Sequence, residues 1–144
     1  MTSTSIEPSG RRAINGACLS PRVLVVEDQT LIAMDLQALL EDTAFVVVGP
    51  AISVADATVL LATEQVDLAL VDFMLADGEA CPLIEQLKAK SIPFALCTGT
   101  DCHKLRGAYP HTPILGKPYK VEDVLKVMSD LLPRSGRHED RLPC

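Results

Sequence analysis

Five side chains could do chemistry together if the fold brought them to one place: Glu27, Asp28, Asp72, Thr98 and Lys117. Each follows an apolar run. Arg22-Val-Leu-Val-Val leads into Glu27-Asp28, and Leu68-Ala-Leu-Val leads into Asp72. Pro93-Phe-Ala-Leu-Cys leads into Thr98-Gly99, and Pro113-Ile-Leu-Gly leads into Lys117-Pro118. A carboxylate is costly to bury without a partner, so it belongs at the exposed end of a strand. Two carboxylates about 5 Å apart repel by roughly 3 kcal/mol at an effective dielectric near 20. A cluster of three is stable only if it protonates or holds a cation. A few oxygen ligands, with waters completing the shell, suit Mg²⁺. A cation, the Lys117 ammonium and the Thr98 hydroxyl around a carboxylate resemble a site for phosphoryl transfer. That chemistry asks for positioning and charge neutralisation. A carboxylate can be the nucleophile and form an acyl phosphate, and Gly99 beside Thr98 would leave room for the phosphoryl group. Singly, each residue also has an ordinary role: helix N-cap for Glu27-Asp28, loop residue for Asp72, turn hydroxyl for Thr98, surface charge for Lys117. Their order at successive strand ends argues for chemistry.

The elements that must position them alternate. Strand-like runs start at Arg22, Phe45, Leu68, Pro93 and Pro113, the second being Phe45-Val-Val-Val-Gly49. Between them lie helical patterns. Thr30–Leu40 places Leu31, Ile32, Leu36, Leu39 and Leu40 on one face. Ser53-Val-Ala-Asp56 is a capping box opening a helix through Leu60-Leu61. Pro82–Leu87 sits in a third helix. Asp101–Tyr109 is a poor helix, with Gly107 inside it and Pro110 just after. Val121–Leu132 is amphipathic, with Val121, Val124, Leu125, Met128 and Leu131 inward. Apolar strands alternating with helices predict an α/β fold, a five-stranded parallel sheet doubly wound by helices on both faces. Right-handed crossovers then put every strand's carboxyl end, and all the candidate groups, on one edge.

The 144 residues suffice for one domain. Nearly half are hydrophobic and none is Trp, so the core should be aliphatic. A net charge of −6 argues against nucleic-acid binding through a basic face. No apolar run is long enough to cross a membrane, and Arg11-Arg12 has no apolar stretch after it, so a cytoplasmic protein is expected. Residues 1–21 read as a disordered lead-in and 133–144 as a polar tail, leaving 22–132 as the domain. The five Cys contain no CxxC spacing and read as reduced thiols. Cys102, His103 and His111 include adjacent residues that cannot easily share one zinc. Cys97, beside the proposed site, is a candidate redox sensor.

The set as a whole resembles the receiver domain of two-component response regulators, over about residues 22–132. The shared motifs are an acidic pair after the first strand, Asp at the end of the third, Thr after the fourth and Lys-Pro after the fifth. The resemblance implies a flavodoxin-like, CheY-like sheet of order 2-1-3-4-5. It implies Asp72 as the residue that accepts phosphate from a histidine kinase or phosphotransfer protein. It implies Asp28, Asp72 and the backbone carbonyl of Met74 as Mg²⁺ ligands, with Glu27 holding the metal through water. Lys117 would pair with the phosphoryl oxygens, and Thr98 would bond one and move with it. The Pro93-Phe94…Thr98-Gly99 pattern with Lys117-Pro118-Tyr119 is similar to a mostly single-domain subclass. Two departures stand out: Ile114 occupies the place of a usual switch aromatic, and Thr100 that of an aromatic after Thr-Gly. Tyr109 and Tyr119 are the substitutes at hand. The expected output is a downstream protein partner or a phosphate sink, with a weak homodimer compatible and no enzymatic turnover beyond the protein's own phosphorylation and dephosphorylation. Two rivals stay open: a non-phosphorylated adaptor, and a Mg²⁺-dependent phosphohydrolase. The latter wants a carboxylate where Met74 stands.

Overall fold

A computed structural model describes residues 20–99 and 102–132. The elements run β1 (Arg22–Val26), α1 (Thr30–Asp42), β2 (Val46–Ala51), α2 (Val54–Thr63), β3 (Leu68–Asp72), β4 (Met74–Leu75), β5 (Gly78–Glu79), α3 (Cys81–Ala89), β6 (Phe94–Thr98), α4 (Cys102–Ala108), β7 (Ile114–Gly116) and α5 (Val121–Leu131). The main sheet is parallel, in the order β2-β1-β3-β6-β7. Counting sheet strands alone, that is 2-1-3-4-5. The expected lead-in and tail lie outside the described residues, apart from Ser20 and Pro21. Pro21 already joins the sheet, its carbonyl accepting the Val46 N–H at 2.9 Å.

The central strands are buried on both faces because successive side chains point to opposite sides. Leu24, Val26, Ala69, Val71, Phe94 and Leu96 face one core, which α2, α3 and α4 fill with Ala57, Leu61, Leu83, Ile84, Leu87 and Leu105. Val23, Val25, Leu68, Leu70, Ala95 and Cys97 face the other, which α1 and α5 fill with Leu36, Leu40, Val124 and Met128. Half of the capping box forms: Ser53 Oγ accepts from Asp56 N at 3.0 Å, while Asp56 Oδ2 accepts from Ile52 N at 3.3 Å, one residue before the N-cap Ser53. The poor helix forms only seven residues, Cys102–Ala108. Among the described residues no helix is long and apolar enough to cross a membrane.

Three expectations need correction. Leu31 is 76% exposed. The inward stripe of α1 is Ala33, Leu36 and Leu40, and Leu31 lies two residues, about 200° of helical turn, from Ala33. Val121 is 54% exposed although it shares the inward face of α5. As the first residue of that helix it overhangs a groove against α1. The second strand does not stop at Gly49 but runs Val46–Ala51. Its pairing with β1 shifts between Leu24 and Val26, and Gly49 takes φ +99 there. Phe45, expected to open that strand, instead closes α1, its N–H donating to Leu40 O at 3.0 Å.

Candidate functional site

The carboxyl edge of the sheet is pinned by backbone bonds. Glu27 N–H donates to Ala51 O at 2.8 Å, Phe73 N–H to Cys97 O at 2.9 Å, and Lys117 N–H to Thr98 O at 2.8 Å. Asp72 stands opposite Cys97 in register, and Thr98 opposite Gly116. The residues following β1 and β7 and those ending β3 and β6 therefore converge.

Lys117 is the hub. Its Nζ lies 2.9 Å from Asp72 Oδ2 and 3.0 Å from Glu27 Oε1. Gln29 Oε1 is a more distant acceptor at 3.4 Å. Asp72 is 5% exposed, Glu27 1% and Thr98 6%, so these polar groups sit among apolar side chains and need one another. Glu27 Oε2 also accepts the Gln29 N–H at 3.1 Å, and Oε1 accepts the Tyr119 hydroxyl at 3.3 Å. Asp72 Oδ1 faces the Met74 N–H at 3.4 Å. Asp28 is half-buried beside them. Glu27, Asp28 and Asp72 each offer a carboxylate oxygen, all within 4.8 Å of one another. That all-oxygen, anionic donor set fits a hard divalent cation of the Mg²⁺ kind.

The electrostatics follow from this packing. Burial raises the Asp72 carboxyl from 3.8 to about 6; Lys117 opposes the rise and Glu27 adds to it. Asp72 is thus mostly ionised at neutral pH yet more basic than an ordinary carboxylate, which favours a nucleophile. Burial works to depress the Lys117 ammonium, but its hydrogen bonds to Asp72 and Glu27 prevail and hold it above the usual lysine value. Burial pushes the Cys97 thiol up to about 12. A thiol held protonated is a poor nucleophile, which counts against redox sensing there.

The two tyrosines divide between the faces. Tyr119, after Pro118, packs with the α1/α5 core and reaches Glu27. Tyr109, at the end of α4, packs with the opposite core, edge-on to Phe73 at 6.2 Å between ring centres. It lines a cavity of about 390 Å³ together with Thr98, Phe73 and Leu105. Ile114 is half-buried in that same core. Two features escaped the sequence. β4 and β5 form a short antiparallel hairpin directly after Asp72. Its turn residue Asp77 reaches back to α2, Oδ1 accepting from Val54 N at 2.9 Å and Oδ2 from Ala55 N at 3.2 Å. Those bonds hold the Asp77 carboxyl below its usual value and tie the loop after β3 to a helix N-terminus.

The fold is shared with known proteins. The chain is 30% identical over 131 residues to the phyllosphere-induced regulator PhyR of Methylorubrum extorquens, covering 88% of this chain and 48% of the relative. It thus spans about half the length of that curated relative. The solution structure of SdrG from Pseudomonas melonis Fr1, in its BeF3-activated conformation, superposes with a TM-score of 0.68 at 34% identity, covering 78% of this chain and 96% of SdrG. A crystal structure of a variant of the anti-anti-sigma factor PhyR from Bartonella quintana gives 0.72 at 27% identity, covering 85% and 51%. The family model of the response regulator receiver domain matches residues 23–128. The chain belongs to the response regulator receiver domain family.

Proposed function

We propose that the chain is a phosphoacceptor of a two-component relay, taking phosphate on Asp72 from the phosphohistidine of a kinase or phosphotransfer protein. The observation that carries this is the Lys117 ammonium bridging two buried carboxylates, Asp72 and Glu27, beside Asp28. An Asp72 oxygen attacks phosphorus, the P–N bond to the donor imidazole breaks, and the imidazole keeps the electron pair and takes a proton. Glu27, Asp28, Asp72 and the Met74 carbonyl would hold Mg²⁺. When bound, the cation supplies charge neutralisation for the phosphoryl oxygens. Lys117 shares that task, because Asp72 loses its charge on acylation and frees the ammonium. Thr98, at the next strand end, supplies a hydroxyl to the phosphoryl group.

The chain acts as an acceptor and not as a turnover enzyme, apart from losing its own phosphate. Met74, two residues after the nucleophile, is no general acid. A relative of 34% identity that adopts a BeF3-activated form supports an acyl-phosphate state. A relative described as an anti-anti-sigma factor supports a downstream protein partner. The test is phosphate uptake from a small-molecule phosphodonor, with and without Mg²⁺, by the full chain and by Asp72→Asn. Uptake should need both Mg²⁺ and Asp72. Equal uptake by Asp72→Asn sinks the proposal.

A further inference from the structure

We propose that Tyr119 is a positioning residue of the acidic pocket: its hydroxyl draws on Glu27 and so weakens the hold of Glu27, Asp28 and Asp72 on a divalent cation. This deepens the phosphoacceptor reading and rests on it for its consequence in the cell. Glu27 Oε1 receives the Tyr119 hydroxyl at 3.3 Å and Lys117 Nζ at 3.0 Å. Oε2 receives the Gln29 N–H at 3.1 Å and lies 3.2 Å from the same Nζ. A carboxylate offers about four lone-pair sites, and here all of them are spoken for inside the protein. A cation that draws on Glu27, directly or through water, must compete with these donors.

The three donors differ in what they can give up. The Gln29 N–H is backbone. Lys117 is also the counter-ion of Asp72. Both already fix the orientation of Glu27, so the Tyr119 hydroxyl adds little order and acts chiefly by withdrawing charge from Oε1. The hydroxyl also pairs with the buried Cys97 thiol, a weak partner whose loss costs little beside a bond to a carboxylate. The ring of Tyr119 packs against the α1/α5 core and lines the groove with Ile32, Leu36 and Val124, and phenylalanine keeps that ring. Freed of the hydroxyl, Glu27 Oε1 regains a lone pair.

The experiment is a calorimetric Mg²⁺ titration of the full chain, previously treated with chelator, in four forms: wild type, Tyr119→Phe, Glu27→Gln and the double variant. Tyr119→Phe should bind Mg²⁺ about three- to tenfold tighter, the size expected of one long bond to a charged acceptor. In the Glu27→Gln background the same change should have no effect. A gain in affinity is an outcome that damage to the fold would not produce. Equal or weaker binding by Tyr119→Phe, or an undiminished gain without Glu27, overturns the proposal. A second measurement needs no change at Tyr119. The chain has no Trp and two Tyr, so in Tyr109→Phe the near-ultraviolet tyrosine band belongs to Tyr119. Saturating Mg²⁺ should shift that band to the blue as Glu27 turns from the hydroxyl, and an unmoved band overturns the proposal. Tighter Mg²⁺ binding without phosphate on Asp72 would remove the phosphoacceptor reading and leave Tyr119 in its role. Phosphate uptake with no Tyr119 effect would do the reverse.

Discussion

Replacing Asp72 with Asn should make the protein more stable at pH 7.5 in the presence of a chelator, although it deletes an ion pair. The magnitude follows from the folded environment. Burial, reinforced by Glu27, raises the Asp72 carboxyl from 3.8 to about 6 despite the opposing Lys117 contact. At about 1.4 kcal/mol per pH unit, the ionised carboxylate costs the fold roughly 3 kcal/mol at pH 7.5. That figure is already net of Lys117, since the rise persists with the ammonium 2.9 Å away. For a domain of this size it corresponds to a melting-temperature difference on the order of 10 °C. The sign is fixed by linkage. A group whose pKa is raised on folding contributes stability that is complete below its unfolded value of 3.8, and loses it as pH rises through about 6. The advantage of Asn should therefore be full at pH 7.5, about half-lost near pH 5 and down to about a fifth near pH 4. Thermal melts of both proteins across that range provide the assay. An Asn variant that melts at or below wild type at pH 7.5, or an advantage that does not shrink on acidification, would refute the reasoning.

Mg²⁺ should raise the wild-type melting temperature, by about 2.7 kcal/mol of stability at a hundredfold excess over its dissociation constant. Asp28→Ala should shrink that gain, and a titration without any rise would mean the three carboxylates do not share a cation. Gly49→Ala should lower the urea midpoint by roughly 1–3 kcal/mol of stability with an unchanged slope. Its φ is +99, and an added Cβ would lie 2.7 Å from Ala51 N and 3.1 Å from Val25 O; an unaltered midpoint would show that the bulge relaxes freely.

How much was legible depended on whether the determinant was local. β1, β3 and β6 announce themselves because burial on both faces demands unbroken apolar runs, and Asp72, Thr98 and Lys117 were legible as the residues at which such runs stop. The Gly49-Pro50 pair reads as a strand end, yet the chain keeps its pairing through a register shift that no local pattern encodes. The β4–β5 hairpin has two residues per strand, too few to show a period of two. Asp77 followed by Gly78 reads as a turn, which it is, but its carboxylate caps a helix that begins more than twenty residues earlier. The Tyr119 bond to Glu27 spans 92 positions. Only the register that sets β7 near β1's end, across β3 and β6, brings the two together. Leu31 and Val121 show the opposite failure, apolar residues placed inward by type that the helix phase and the helix end leave in solvent.

The central claim is that Asp72, and no other residue of the acidic cluster, carries the phosphoryl group. The most direct measurement is to phosphorylate the full chain with a small-molecule donor and Mg²⁺, reduce the acyl phosphate with borohydride, and locate the reduced side chain by peptide mass spectrometry. The account predicts reduction at Asp72 alone. Reduction at Glu27 or Asp28, or an acid-labile phosphate on His103 or His111, would contradict it.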